Sequence, residues 1–200
     1  MLPGGVTSAQ RITMAECSCD FVTEVPADRW NMLNTDERHT MGDVGQRIKY
    51  GGFVHGAEPF DNAFFRISRA EAAAMDPQQR LLLEQGYAAL HAGKLEREGR
   101  DVGAGVFVAI IATEFGDILA NSPEAESVFA FMSSGGAIAV ASGRISFSLG
   151  LQGPCSTMNT ACSASLVATH AASSALALNE CSLGLSAAAN LMLLPAITLT

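Results

Sequence analysis

The stretch Gly153–Leu166 constrains the fold more than any other part of the chain. It reads Gly-Pro-Cys-Ser-Thr-Met-Asn-Thr-Ala-Cys-Ser-Ala-Ser-Leu, and a helical pattern continues from it through Val167 and His170 toward Leu178. A short extended run followed by a corner of small residues predicts a strand that turns directly into a helix, with Cys162 at the corner. Such a corner exposes a side chain at the carboxyl edge of a sheet and directs the free N–H groups of the first helical turn toward it.

Cys162 is therefore the candidate nucleophile of this chain. Unpaired amides and the helix dipole favour a thiolate at the start of a helix. The same amides can hold the oxyanion of an acyl group attached to the sulfur. The alternative is a structural cysteine, because free cysteines are mostly small buried hydrophobes.

The composition fits one folded domain that is neither a nucleic-acid binder nor a membrane span. Hydrophobic residues make up 48% of the 200 residues and charged residues 16%, which excludes a disordered or fibrous chain. The net charge of -8 argues against nucleic acid, whose partners carry a basic stripe. After Arg144 the only charged side chain is Glu180, but Gly150, Gly153 and Pro154 interrupt this segment. It falls short of the roughly 20 apolar residues of a spanning helix, so a buried interior or a subunit interface fits it better.

The cysteines indicate a reducing compartment and no metal. Their number, five, is odd, and their spacing is not that of metal ligands, which argues against a disulfide framework or a zinc site. Cys17 and Cys19 lie close together but have no partner histidines. The chain does not begin with a charged and then apolar leader. We therefore expect a cytoplasmic or otherwise intracellular location.

Two helices are marked by their ends. Ser68-Arg69-Ala70-Glu71 has the pattern of a capping box for a short helix. Asp76-Pro77 places a capping carboxylate and then a proline at the start of a second helix. Gly93 is the expected end of the second helix, whose apolar face carries Leu83, Tyr87 and Leu90.

Strands alternate with these helices. Gly105–Ile111 is an apolar run without alternation, which is typical of a central strand covered on both sides. A loop with Asn121-Ser122-Pro123 follows, and helical spacing then extends to Gly150 through Ile138, Ala141, Ile145 and Leu149. Leu183–Leu194 is a further strand candidate that ends at Pro195. This order predicts an α/β sheet, while residues 1 to 50 are predicted to be irregular.

Several motifs together resemble one family. Thr-Ala-Cys-Ser-Ala-Ser-Leu after Gly-Pro resembles the nucleophile motif of β-ketoacyl synthases. The run Met75–Glu84, Met-Asp-Pro-Gln-Gln-Arg-Leu-Leu-Leu-Glu, is similar to the ketosynthase of type I polyketide synthases and animal-type fatty acid synthases. Further similar segments, in the family's order, are Phe21–Trp30, Tyr50–Phe53, Phe60-Asp61, Phe64-Phe65 and Ile67-Ser68. The resemblance extends from about Leu2 to Pro195.

The resemblance implies the N-terminal half of a thiolase-like fold, with a mixed central sheet flanked by helices. We expect residues 1–200 to form a partial ketosynthase domain, with the nucleophile region at 153–178. The family's first strand is expected to be missing because Pro3 stands almost at the start. The family's later His-Gly-Thr-Gly-Thr and Lys-x-Asn-x-Gly-His motifs do not occur here. No histidine present replaces them: His170 lies about 12 Å along the helix from Cys162, and His39, His55 and His91 match no catalytic position.

The resemblance also implies a reaction and its partners. Cys162 would take an acyl group from the phosphopantetheine thioester of an acyl carrier protein, or from CoA, with no bound cofactor. A decarboxylative Claisen condensation with a malonyl-type carrier-protein thioester would follow. Family members are homodimers in which the partner subunit lends a side chain to the acyl pocket. By its position upstream of the nucleophile, Met132 is the candidate for this substrate-binding role, and a loop methionine is the alternative.

Two other functions stay open at this point. The chain can be a noncatalytic fragment or scaffold whose uncharged C-terminal third serves only to associate with partner subunits. It can also be a cysteine hydrolase that uses the same corner, which needs a histidine and an Asn or Asp placed by the fold. No motif in the sequence supports the hydrolase.

Overall fold

The computed structural model describes residues 20–26, 29, 49–93, 103–111 and 115–193. The chain divides into two compact units, Glu58–Asn190 and a second unit of Met1–Ala57 with Leu191–Thr200. Cys17, Cys19, His39 and most of the region predicted to be irregular lie outside the described residues, as do parts of Phe21–Trp30.

The described part of the unit that contains both chain ends is built on a small antiparallel pair. Strand β1 (Thr23–Glu24) pairs with β2 (Tyr50–Gly51), with Thr23 opposite Gly51. Phe53 is buried in this unit. The Arg29 side chain reaches the segment after β2, where its Nη2 donates to the Val54 carbonyl oxygen over 2.9 Å.

The larger unit is a parallel sheet between helices. Its three described strands, in the order β4–β3–β5, are β3 (Ala104–Ile110), β4 (Cys155–Met158) and β5 (Leu183–Ala189). The helices are α1 (Arg69–Ala74), α2 (Pro77–Ala92), α3 (Phe115–Ala120), α4 (Ala125–Gly136), α5 (Ala141–Leu149) and α6 (Ala164–Ala177). The predicted α/β class is confirmed. The sheet was predicted to be mixed, whereas the three described strands pair only in parallel.

Strand β3 is the centre of the hydrophobic core. All seven of its residues are buried, as the unalternating apolar run predicts. Side chains on one face, including Val106, Val108 and Ile110, pack with Leu83 and Ile145 of α2 and α5. Those on the other face, Phe107 and Ala109, pack against a row of alanines in α6: Ala164, Ala168, Ala172 and Ala175. The sheet is therefore covered on both sides.

The predicted helix ends are confirmed. Ser68 Oγ accepts from the Glu71 N–H over 3.1 Å, and Asp76 Oδ1 accepts from the Gln78 N–H over 2.7 Å. Pro77 is the first residue of α2 and Gly93 caps its end. Gly150 ends α5 at φ 70°, a left-handed conformation that glycine adopts without steric cost.

Two predictions differ from the structure. Strand β5 ends at Ala189, not near Leu194, because its last register partner in β3 is Ile110, where β3 also ends. Residues 190–193 are not strand, and Leu194 and Pro195 lie outside the described residues. Helices α3 and α4 were not predicted; they flank the predicted Asn121-Ser122-Pro123 loop.

Among the described helices, no single one is long and apolar enough to cross a membrane. Taken together, Ala125–Gly136 and Ile138–Leu149 have the length and composition of a membrane span, but the two segments are bent by 67° at their junction.

Gly135 permits α4 to touch the end of α1, which gives a test of this packing. A Cβ at Gly135 would overlap the Ala74 carbonyl, whereas a Cβ at Gly136 would meet no atom within 4 Å. We expect Gly135→Ala to lower the free energy of unfolding by about 3 kcal/mol, since backbone must move to make room. Gly136→Ala should cost nothing, because alanine is the better helix former. Urea denaturation of both variants measures the difference, and equal stabilities would contradict the close approach.

Candidate functional site

The predicted strand-to-helix corner is present in the structure. Strand β4 ends at Met158, a 3-10 turn covers Ala161–Ser163, and α6 begins at Ala164. Ala161, the residue before Cys162, has φ 51°. This left-handed conformation costs a residue with a Cβ about 1–2 kcal/mol. The chain therefore turns sharply between strand and helix, and Cys162 lies at the turn.

Hydrogen bonds between residues two or three positions apart hold the turn. Asn159 Oδ1 accepts from the Ala161 N–H over 3.3 Å. Ser163 Oγ donates to the Thr160 carbonyl oxygen over 2.7 Å and lies 3.0 Å from Thr160 Oγ1. Polar side chains on both sides of Cys162 thus fix the backbone that carries it.

A second pair of hydroxyls ties the preceding strand to α5. Thr157 Oγ1 donates to Ser142 Oγ over 2.9 Å and accepts from the Ser142 N–H over 3.2 Å. Ser142 is buried at the start of α5. Strand β4 is consequently held both by its pairing with β3 and by a helix on the opposite side from α6.

Cys162 is exposed and opens into a cleft of about 180 Å³. The carboxyl ends of β3 and β5 line the cleft with Ala109–Ile111 and Ala188–Asn190, and the start of α6 lines it with Ala164 and Ser165. The N-terminal turn of α6 begins directly after the thiol, and Ser163, its N-cap residue, makes no capping hydrogen bond to it. The 3-10 turn uses two of the backbone N–H groups at this point: the Ser163 N–H donates to the Thr160 carbonyl oxygen and the Ala164 N–H donates to the Ala161 carbonyl oxygen.

The described histidines do not line the cleft. His170 is exposed on α6, about two turns beyond Cys162. His91 lies near the end of α2, with its ring 5.9 Å from that of Tyr87. His55 is exposed and belongs to the other unit. The cleft therefore brings Cys162 together with small side chains, and with no imidazole from the described part of the chain.

Met132 lies in helix α4 and not in a loop, so the loop alternative is wrong. It is half-buried against the cluster of Ala74, Leu119 and Val128. It is not among the residues that line the Cys162 cleft. Its assignment to the acyl pocket of a partner subunit stays a prediction.

Two buried glutamines near the site were not predicted from the sequence, and one of them contacts a residue that lines the cleft. Gln78 and Gln79 are buried in the first turn of α2. Gln78 Nε2 donates over 2.8 Å to the carbonyl oxygen of Ile111, which lines the cleft. Gln79 Nε2 donates to the Gly135 carbonyl oxygen over 2.9 Å. The available signal was a pair of adjacent amide side chains directly after the helix cap at Asp76 and Pro77.

A charged group connects these helices. Arg144 Nε donates over 3.0 Å to Gln79 Oε1, and the same guanidinium forms an ion pair with Glu71.

Elsewhere on α2, burial lowers the pKa of Arg80, and the carboxylates of Asp76, Glu58 and Glu84 oppose that shift. Burial also raises the pKa of Glu84. Neither Arg80 nor Glu84 lines the cleft, so these shifts belong to the packing of α2.

No group of three or more metal-ligating side chains comes together in the part of the chain that the structure describes. The three described cysteines are free thiols, with Cys155 and Cys162 exposed and Cys181 buried.

The comparison with protein families assigns residues 2–200 to the model described as Beta-ketoacyl synthase, N-terminal domain. Polyketide synthase GfsE of Streptomyces halstedii is 38% identical over 98% of this chain, which spans 5% of that protein. Pikromycin polyketide synthase component PikAII of Streptomyces venezuelae is 37% identical over 97% of this chain, which also spans 5% of that protein. The chain thus spans a small fraction of the length of these relatives.

Two solved ketosynthase structures are also similar to this chain. The ketosynthase from module 6 of the bacillaene synthase of Bacillus subtilis 168 matches with a TM-score of 0.80 at 30% identity, covering 99% of this chain and 31% of its own. The oxazolomycin ketosynthase domain OzmH KS7 of Streptomyces albus JA3453 matches with a TM-score of 0.77 at 26% identity, covering 99% of this chain and 34% of its own.

The conformation of Ala161 can be tested by the sign of one substitution. Glycine adopts a positive φ without penalty, so Ala161→Gly should raise the free energy of unfolding by about 1 kcal/mol. Ala88→Gly is the matched control, because Ala88 is also exposed but lies within α2, where glycine costs about 1 kcal/mol. Thermal unfolding should rank Ala161→Gly above the unsubstituted chain and Ala88→Gly below it. A loss of stability in both would show that the turn carries no such strain.

Proposed function

The chain belongs to the β-ketoacyl synthase family, and we propose on that basis that Cys162 is the residue that accepts the acyl group. The observation that supports this role is the exposed thiol on a left-handed strand-to-helix turn, inside a cleft at the carboxyl edge of the sheet. A structural cysteine would lie in the core, as Cys181 does.

The acyl transfer uses the geometry of the turn. The Cys162 sulfur attacks the carbonyl carbon of a thioester carried on the phosphopantetheine of an acyl carrier protein, or on CoA. A carbon–sulfur bond forms to Cys162, the bond to the carrier sulfur breaks, and the released carrier thiol takes up the proton. We assign the stabilisation of negative charge on the carbonyl oxygen to the backbone N–H of Cys162 itself. The product is an acyl-enzyme.

The second half of the reaction is carbon–carbon bond formation. A malonyl-type thioester loses CO₂, and the resulting enolate attacks the Cys162 acyl carbon, which gives a β-ketoacyl thioester and frees the thiol. This step needs donors aimed at the enolate oxygen, and the histidine motifs implied by the resemblance are absent from the 200 residues. The chain also spans about a third of the ketosynthase structures it matches. We therefore assign the acylation half of the reaction to these residues.

A second candidate function is association. Three apolar side chains of α6 are exposed: Leu166, Val167 and Leu176. Glu180 is the only charged residue after Arg144, so contact between this region and another protein surface buries almost no charge. Acyl carrier protein and a second copy of the chain are the proposed partners, and an intracellular location is part of the same proposal.

Alkylation separates the reactive thiol from an exposed but ordinary one. Cys155 and Cys162 are both exposed, but only Cys162 lies at a helix start. We expect limiting iodoacetamide near neutral pH to label Cys162 about fivefold faster than Cys155, since a helix N-terminus favours an anion by up to about 1 kcal/mol. Peptide mass spectrometry gives both rates in one sample. Equal rates, or faster labelling of Cys155, would contradict the proposed nucleophile.

Acylation and condensation can be followed together. Incubation with acyl and malonyl carrier-protein thioesters should give slow acylation of the chain, seen by intact mass spectrometry and abolished in Cys162→Ala. We expect no β-ketoacyl product, because loss of one oxyanion donor alone costs on the order of 10²–10³ in rate. An adduct that survives in Cys162→Ala would refute the assignment of the nucleophile. A condensation product above that control would refute the restriction to acylation and direct attention to His170.

A further inference from the structure

Five alanines line the Cys162 cleft: Ala109, Ala161, Ala164, Ala188 and Ala189. Ala109 near the end of β3 and Ala188 near the end of β5 are register partners, and Ala164 is the first residue of α6. These three differ in exposure: Ala109 is 3% and Ala164 4% exposed, whereas the Ala188 methyl group is open to solvent.

The pairing in the sheet determines which face Ala188 occupies. Ala109, its register partner, packs in the cluster formed with α6. Ser186, two residues earlier in β5, has its Oγ 3.2 Å from Thr169 Oγ1 of α6. Because side chains alternate along a strand, Ala188 lies on this same face, toward the start of α6 and Cys162. Ala187 lies on the opposite face, against the cluster that includes Ile145 and Leu185.

We propose that Ala188 is a specificity-determining residue whose methyl group sets the width of the cleft on the β5 side of Cys162. It thereby limits the size of the acyl group that the thiol accepts, so the inference rests on the proposed function and deepens it.

The other four alanines are unsuited to this role. A larger side chain at Ala109 or Ala164 would enter the core. Ala189 packs against the cluster on the opposite face of the sheet, and Ala161 holds the left-handed turn. A change at Ala188 alters the cleft and leaves the core packed.

The size of the effect follows from the size of the cleft. A volume of about 180 Å³ is small for a binding pocket, so one methyl group is a noticeable part of its wall. In a closed hydrophobic pocket, a change of one methylene alters discrimination by roughly 10–200-fold. Ala188 is exposed, so this wall is open on one side, and we expect an effect near the lower limit, about tenfold.

The test uses Ala188→Gly, Ala188→Val and the control Ala187→Gly, with two alkylating reagents of different size. Ala187→Gly removes a methyl group from the same strand, one residue away, at a position that does not line the cleft. The rates at which iodoacetamide and the bulkier iodoacetanilide label Cys162 are measured for each variant, and their ratio cancels differences in intrinsic thiol reactivity. Circular dichroism checks that each variant is folded.

Ala188→Gly should raise the large-to-small rate ratio by about tenfold, and Ala188→Val should lower it by a similar factor. Ala187→Gly should leave it unchanged. If Ala188→Val fails to fold, the comparison of the two glycine variants alone decides the question. Ratios that are the same for Ala188→Gly and Ala187→Gly overturn the proposal.

A second measurement distinguishes this inference from the proposed function. The N-acetylcysteamine thioesters of acetate and isobutyrate are offered to the same variants, and the acyl adduct on Cys162 is quantified by mass spectrometry. Isobutyryl transfer relative to acetyl transfer should follow the same order as the alkylation ratios. Shifted alkylation ratios without any acyl transfer would support Ala188 as the determinant of cleft width and refute acyl acceptance by Cys162.

Discussion

The close approach of Gly153 to strand β3 is the contact on which the position of Cys162 depends. A Cβ at Gly153 would overlap the backbone of Ala104 and Gly105, so only glycine fits there. The Gly153 N–H donates to the Ala104 carbonyl oxygen over 2.9 Å, and the Val106 N–H donates to the Pro154 carbonyl oxygen over 2.8 Å. These two bonds start the parallel register in which Val106 faces Cys155 and Ala109 faces Met158.

That register also determines the geometry of the candidate site. Because the side-chain period of a strand is two, a shift of one residue would turn Thr157 away from Ser142 and α5. It would also move the turn at Ala161 by one residue along β3, and the cleft between β3, β5 and the start of α6 would no longer form. The glycine at the beginning of the strand thus determines where the thiol stands at its end.

The sequence predicted the features that are local and failed on those that depend on partners. The caps at Ser68, Asp76 and Gly150 and the corner at Cys162 are properties of a few neighbouring residues, so they could be identified without the fold. The end of β5 depends on the length of β3, which lies about 80 residues earlier. The burial of Gln78 and Gln79 requires the carbonyls of Ile111 and Gly135. Helix α4 lacks a side-chain cap at its start, which removed the signal that identified α1 and α2.

Helix α6 connects the two candidate functions. Its face toward the sheet is a row of alanines, Ala164, Ala168, Ala172 and Ala175, which allows close packing on β3. Leu166, Val167 and Leu176 of the same helix are exposed, and polar residues including Thr169, His170 and Ser173 lie between them. The first turn of the same helix begins next to Cys162. Ala164 and Ser165 of this turn line the Cys162 cleft, so the proposed association through α6 and the proposed acyl transfer depend on the same element of the fold.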